Sequence, residues 1–228
     1  MNDIALTVSL ATAPSSAFSE LRERPRFWFP LLLTVLSTTL VVYWYYSVVD
    51  VDWFKEMMFG NNPAVEPDKR AAVMGMMTRT TLLWGSVVSI FIALPITMLL
   101  TAVVWLIVAK ITKVPLGFKH WFTFACWTSL PIVLGNVVAA VLLAIADTTQ
   151  ISPGVTQALS LNELVFHRAM GSPGANLLGA LGIPAFLTWA LAIIGVHVWS
   201  QRSWLFSVLF VAVPVALFYG IWATFAFK

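Results

Sequence analysis

The chain has 228 residues, of which 60% are hydrophobic and only 10% are charged, and its formal net charge is +3. Soluble globular proteins carry about 25% charged residues, so this composition excludes a water-soluble domain. The length allows one membrane bundle with short connections and no additional soluble domain of ordinary size. Basic residues do not form long clusters, so we expect no nucleic-acid partner.

Residues 1–27 are predicted to form a cytoplasmic amino segment. Its beginning has no basic residues ahead of an apolar core, which differs from a secretory signal peptide. From residue 14 to 25, Phe18 and Leu21 fall on one helical face and charged residues fall largely opposite, which predicts a short amphipathic helix on the membrane surface. Anionic headgroups attract nearby basic side chains by about 1 kcal/mol each. Three arginines are predicted to contact such headgroups: Arg22, Arg24 and Arg26.

Residues 28–228 are predicted to form a membrane domain with five spans. Each span reaches the roughly 20 apolar residues that the hydrocarbon core requires, and Trp, Tyr or basic residues bound it. The predicted spans are residues 28–49, 82–109, 121–146, 175–199 and 204–227. The predicted fold class is therefore all-α, a polytopic transmembrane bundle of five helices with short interfacial helices.

The distribution of charge predicts the orientation of this bundle. The side that holds the amino segment carries seven basic and three acidic residues, whereas the other side carries six basic and seven acidic residues. By the positive-inside rule, the amino terminus is expected in the cytoplasm and the carboxyl terminus in the periplasm of a bacterial inner membrane. The basic residues of the inner connections are Lys110, Lys113, Lys119 and Arg202.

Two outer connections are predicted to contain helices of their own. Apolar residues recur at helical spacing over residues 53–58, which indicates a helix in the interface plane that residues 61–63 end. Further on, residues 160–163 form a Ser-Leu-Asn-Glu capping box. This motif predicts a helix over residues 161–170 that Gly171 closes.

Prolines lie within four of the five predicted spans. Inside a bilayer, neighbouring groups must satisfy the carbonyls that a proline frees. Two interpretations are open: kinked and tightly packed helices, which we favour, and broken helices that surround a transport site. The four residues are Pro95, Pro131, Pro184 and Pro214.

One face of the third predicted span is small and polar. Small residues let helices approach closely, and an Asn side chain can hydrogen-bond across helices. We therefore expect this face, together with Pro131, to pack against other helices. Its residues follow spacings of four, seven and four: Ala125, Ser129, Asn136 and Ala140.

The predicted spans offer little chemistry. They contain no Asp, Glu, Lys or Arg, and His197 lies near the inner end of the fourth span, which disfavours ion-coupled pumping. Phosphate-loop, zinc-protease and nucleophile-elbow motifs are missing from the sequence, so we expect a protein that is not an enzyme, with no catalytic residues and no cofactor. Soft thioethers suit cuprous copper, yet adaptable apolar packing is the favoured interpretation of the outer methionines. These are Met57, Met58, Met74, Met76 and Met77.

The stretch Trp-Thr-Ser-Leu-Pro-Ile-Val-Leu-Gly-Asn at residues 127–136 resembles the third span of the Ypt-interacting-protein (Yip) family. The five-span layout is similar too, and residues 14–25 and 186–195 fit the short bacterial members. The resemblance implies a membrane protein without catalytic residues. Eukaryotic members are implied in membrane traffic through Rab GTPases and partner Yip proteins. This sequence has no Asp-Leu-Tyr-Gly-Pro motif ahead of its first span.

Two main hypotheses for function follow. The favoured one is a non-enzymatic membrane scaffold or adaptor that binds lipid headgroups and associates with itself or with other integral membrane proteins through the face of Ser129 and Asn136. The alternative is a transporter or permease subunit for a neutral or lipid substrate, in which Pro95, Pro131 and Pro184 mark broken helices.

Overall fold

The computed structural model describes the backbone of residues 1–60 and 67–227 and the side chains of residues 1–59 and 72–227. This part of the chain is helical and has no strands. Five helices are long and apolar enough to cross a membrane. The predicted fold class, an all-α polytopic bundle, is confirmed.

The described residues contain eleven α-helices and three short turns of 3₁₀ or π helix. The α-helices are α1 (Asp3–Thr12), α2 (Pro14–Glu23), α3 (Trp28–Val48), α4 (Val51–Lys55), α5 (Pro67–Met76), α6 (Arg79–Ile111), α7 (Phe118–Thr128), α8 (Pro131–Ala144), α9 (Ala175–Ala180), α10 (Ile183–Ser200) and α11 (Trp204–Ala226). The short turns are Glu56–Gly60 (π), Pro153–Gln157 (3₁₀) and Asn162–Phe166 (π).

The second span is longer than the apolar pattern predicts. Helix α6 has 33 residues and so measures about 50 Å, whereas the hydrocarbon core is about 30 Å thick. It begins early because the Thr78 hydroxyl accepts a hydrogen bond from the backbone N–H of Thr81 at 3.1 Å and caps the helix. The polar residues after this cap extend the helix beyond the apolar stretch.

The third span is kinked at Pro131. Ser129 and Leu130, which separate α7 from α8, keep helical dihedral angles. Backbone N–H groups bond three residues back here, from Ile132 to Ser129 at 3.0 Å and from Val133 to Leu130 at 2.9 Å. Two other prolines of the predicted spans lie inside uninterrupted helices, in α6 and α11. The favoured interpretation, kinked and packed helices, therefore describes the third span.

The fourth span, by contrast, is broken. Leu181 is extended with φ −91° and ψ 130°, and α10 begins two residues later with Pro184 in its first turn. The backbone at the break pairs with the preceding outer connection: the N–H of Leu161 donates to the carbonyl of Leu181 at 2.7 Å, and the N–H of Ile183 donates to the carbonyl of Leu159 at 3.0 Å. These bonds allow irregular backbone to lie within the bundle.

The amino segment packs differently from the sequence-based expectation. Helix α2 covers almost the predicted range, but Phe18 and Leu21 are completely buried against the bundle. The ring N–H of Trp199 donates to the carbonyl of Phe18 at 2.7 Å, and that of Trp127 donates to the carbonyl of Arg26 at 2.7 Å. The helix therefore has the predicted amphipathic pattern, and the spans cover its apolar face.

A cluster of aromatic rings, which we call the aromatic core, fills the end of the bundle next to α2. Ring centroids in this cluster lie 5.0 Å apart for Phe124 and Trp199 and 5.6 Å apart for Trp121 and Trp199. Its members come from α2, α6, α7, α10 and α11, so it joins the amino segment to four spans. The aromatic core consists of Phe18, Trp105, Trp121, Phe124, Trp199 and Phe210.

The connections after the first and third spans agree with the predicted helices to different degrees. After α3, α4 and the turn that follows it occupy the predicted position, and Phe54 packs against Tyr45; residues 61–63, predicted to end this helix, lie outside the described residues. In the third connection the N–H of Glu163 donates to Ser160 Oγ at 3.2 Å, as the capping box predicts. The predicted extension to residue 170 is wrong, because His167 adopts a left-handed conformation and ends the turn at Phe166.

Candidate functional site

Asn136 is a buried polar side chain that bonds to another span. It lies on α8 and is 8% exposed, and its Nδ2 group donates to Ser37 Oγ and Thr38 Oγ1 of α3, both at 2.9 Å. Ser37 Oγ donates its own proton to the carbonyl of Thr34, so its oxygen is free to accept from Asn136. Asn136 thus joins the third span to the first span of the same chain.

The other residues of the predicted packing face also lie inside the chain. Ala125 and Pro131 are buried, and Ala140 packs beside the buried cluster that contains Tyr45. Ser129 is buried and donates its hydroxyl to the carbonyl of Cys126 on its own helix at 2.8 Å. Helices of the same chain therefore cover most of this face.

A cavity of about 190 Å³ lies between α8, the 3₁₀ turn at Pro153–Gln157 and the break between α9 and α10. Asn136, Thr156 and Ser160 supply polar groups to its wall. Gly182 lies at the break, where a Cβ atom would collide with the carbonyl of Leu159 and come within 2.6 Å of Ser160 Cα. Only glycine permits this close approach of the two backbones.

The three predicted headgroup contacts have different surroundings. Arg26 is held in ion pairs, with Nη2 2.6 Å from Glu20 Oε1 and Nε 3.3 Å from Asp3 Oδ1. The pKa of Glu20 is lowered, chiefly by a hydrogen bond from the terminal ammonium group and also by the nearby Arg26 charge. Arg24 is exposed and Arg22 is half-buried. Arg24 is consequently the arginine best placed to reach a headgroup.

Arg79 has a structural role that the sequence did not reveal. Its guanidinium donates to three carbonyls at the end of α3: to Tyr46 at 2.7 Å, to Ser47 at 2.5 Å and to Val49 at 2.8 Å. These are carbonyls that a helix leaves without partners at its C-terminus. One signal was available, since a cation in the first turn of α6 is disfavoured by the dipole of its own helix.

The possible metal ligands of the described residues are His, Cys, Asp and Glu side chains and the outer methionines. No group of three His, Cys, Asp or Glu side chains there could hold a metal ion. Of the outer methionines, Met58 and Met77 pack against the cluster of Tyr45 and Phe54, whereas Met57 and Met76 are exposed. Apolar packing thus accounts for two of these side chains.

Comparison with known families now identifies the kind of protein. The model of the Yip1 domain matches residues 8–225, nearly the whole chain. The chain belongs to the Yip1 domain family. The match includes α2, all five spans and the residues of the break. The resemblance of residues 127–136 therefore extends over nearly the whole of this Yip1-domain protein. Neither a curated protein nor a solved structure matches the sequence.

Proposed function

We propose that this Yip1-domain protein is a non-enzymatic scaffold or adaptor that associates with itself or with other integral membrane proteins. The observation that carries the proposal is the aromatic core. Trp121, Phe124 and Trp199 are almost completely buried, and α2 covers them from the end of the bundle. Aromatic side chains fill this half of the bundle, which supports association with partners better than conduction of a substrate.

The surface for association must lie on an outward face, because the face of Ser129 and Asn136 is covered. Helix α6 is the span with the smallest buried fraction. Small residues recur on it at every fourth position, and the first four of them are exposed. Such a pattern lets two helices approach closely in a membrane. The residues are Gly85, Ser89, Ala93, Thr97 and Thr101.

Mass spectrometry of the protein extracted with its native lipid in polymer discs tests this proposal. We expect a homo-oligomer or a second membrane protein at near-equal amount. Ala93→Leu should weaken that complex, because a larger side chain holds the helices apart. Ile92→Leu is the matched control, since Ile92 is exposed on the same helix outside the row of small residues. A monomer without a protein partner would contradict the proposal.

The proposed setting is the bacterial inner membrane, with the amino terminus in the cytoplasm and the carboxyl terminus in the periplasm. Basic residues near the ends of α2, α6, α10 and the connection before α7 support this orientation. We further propose that Arg24 binds anionic lipid headgroups, and Arg22 also lies at this end. The five candidate spans support this proposal, since an odd number of crossings leaves the two ends on opposite sides.

One observation favours the alternative, a transporter for a neutral substrate. The fourth span is broken beside a cavity, which is the arrangement that many transporters use for substrate sites. The cavity of about 190 Å³ is, however, smaller than the roughly 300 Å³ at which typical ligand pockets begin. It is too small for a whole lipid, so this observation supports only a small substrate.

A further inference from the structure

The wall of the cavity beside the broken span includes Asn136, whose side-chain oxygen has no donor among the described residues. Both N–H groups of Asn136 are directed to α3, whereas Oδ1 accepts no hydrogen bond from the described residues. Asn136 is more than nine-tenths buried and also lines the cavity. An amide oxygen has two lone pairs that can accept hydrogen bonds. Because Asn136 lines the cavity, a ligand in the cavity lies next to this acceptor.

The rest of the wall indicates what kind of donor fits. No charged side chain lines the cavity, so an ion would lose its hydration without gaining a partner. Ser160 Oγ accepts from the N–H of Glu163, which leaves its own O–H group to donate. Thr156 donates to the carbonyl of Pro153, so its oxygen is left to accept. Ile132 and Pro184 add apolar surface.

The size of the cavity limits the ligand. An engineered cavity of about 150 Å³ takes up benzene, so about 190 Å³ suits a molecule of roughly six to eight non-hydrogen atoms. Gln157 and Ala180 are exposed members of the wall and mark its opening in the connection between the third and fourth spans. The aromatic core lies at the other end of the bundle.

We propose that this cavity is a binding site for a small neutral molecule that both donates and accepts hydrogen bonds, of the amide or polyol class. The ligand enters from the side of the connection between the third and fourth spans and donates to Asn136 Oδ1. It accepts from the hydroxyl of Ser160 and rests on Ile132 and Pro184. The site does not depend on the scaffold function, because its residues are separate from the row of small residues on α6.

Cysteine labelling tests whether the cavity is open to water. Ser160→Cys, in a Cys126→Ala background, replaces one cavity hydroxyl by a thiol of similar size. The variant is placed in discs of phosphatidylcholine, whose headgroup has no hydrogen-bond donor, and treated with a membrane-impermeant maleimide. We expect labelling at least tenfold faster than for Val137→Cys, since Val137 is 54% exposed on the lipid-facing side of α8 next to Asn136. Equal rates would overturn the proposal.

Protection by ligand probes then tests binding itself. Acetamide and glycerol represent the two ligand classes, and we expect at least one of them to slow the labelling of Ser160→Cys tenfold or more at saturation. Adding Ala185→Leu, which fills the cavity wall, should abolish this protection, whereas Ala190→Leu on the exposed face of α10 should preserve it. Labelling that neither probe slows would show a cavity that holds water only and would overturn the proposal. The oligomer measurements on Ala93→Leu are independent of this result.

Discussion

Asn136 makes the two hydrogen bonds that join α8 to α3, so its replacement tests what they contribute. Asn136→Leu should lower the free energy of unfolding by about 0.6 to 1.7 kcal/mol, the range found for hydrogen bonds between helices in a membrane. Reversible unfolding in bicelles measures this change. Val137→Leu is the matched control and should leave stability unchanged, because Val137 faces lipid.

A double-mutant cycle with Ser37→Ala assigns the loss to the bond between the two helices. If the pair at 2.9 Å is the cause, the two substitutions together should cost less than the sum of their separate effects. If Asn136→Leu dissolves an oligomer but leaves the free energy of unfolding unchanged, that result contradicts the intramolecular role. It would instead favour the use of this face between chains.

Arg79 satisfies the carbonyl end of α3 from a different helix. Arg79→Gln removes the guanidinium group that caps α3. We expect the backbone N–H groups in the last turn of α3 to exchange with deuterium roughly fivefold faster, equivalent to about 1 kcal/mol. Arg79→Lys should give a smaller effect, because an ammonium group retains charge but lacks the planar fork. Lys55→Gln, on the same side of the membrane, should not change the exchange. Equal exchange in wild type and Arg79→Gln would contradict the capping role.

At the scale of elements, the break between α9 and α10 depends on close backbone contact at Gly182. Gly182→Ala should cost about 1 to 3 kcal/mol of unfolding free energy, because the new methyl group must displace the backbone at Leu159 and Ser160. Gly220→Ala is the matched control on α11, where a Cβ atom meets nothing within 4 Å. Alanine favours helix over glycine, so Gly220→Ala should be neutral or slightly stabilising. Equal stability of the two variants would contradict the role of the contact.

The elements also show which parts of the fold the sequence could predict. Long apolar runs predicted all five spans, because a bilayer requires that length. A break near Pro184 was an open alternative, but its position at Gly182 could not be predicted, since apolar residues continue on both sides of it and the backbone partner lies about twenty residues earlier. Helix α1 was missed because Ile4, Leu6, Val8 and Leu10 alternate with small or polar residues as in a strand.

Side-chain partners were the least predictable feature of the candidate site. The pattern of α2 predicted an apolar face, but the same pattern fits contact with lipid or with protein. The sequence predicted Asn136 as a polar residue that packs against another helix, whereas its hydrogen-bond partners on α3 depend on how the first and third spans pack. The cavity depends on the break, so no sequence pattern indicated it.

At the scale of the whole molecule, the two ends of the bundle differ in construction. The aromatic core and α2 close one end, whereas the break, the cavity and the outer connections shape the other. The ion pairs of Arg26 and the cap made by Arg79 use two cations within the fold. Besides Arg22, Arg24 and Arg26, four basic residues lie on the proposed cytoplasmic side, namely Lys110, Lys113, Lys119 and Arg202.

The three lysines between the second and third spans therefore provide the sharpest test of orientation. Replacing Lys110, Lys113 and Lys119 together by Gln removes three of the seven basic residues on the proposed cytoplasmic side. By the positive-inside rule, the variant should show a mixed orientation. Alkaline phosphatase fused to the carboxyl terminus, which is active only in the periplasm, should lose activity relative to the wild-type fusion. Arg168→Gln, on the opposite side, should not reduce it. The proposed orientation is reversed if the wild-type phosphatase fusion is inactive and a second fusion, with a reporter that fluoresces only in the cytoplasm at the same end, is fluorescent.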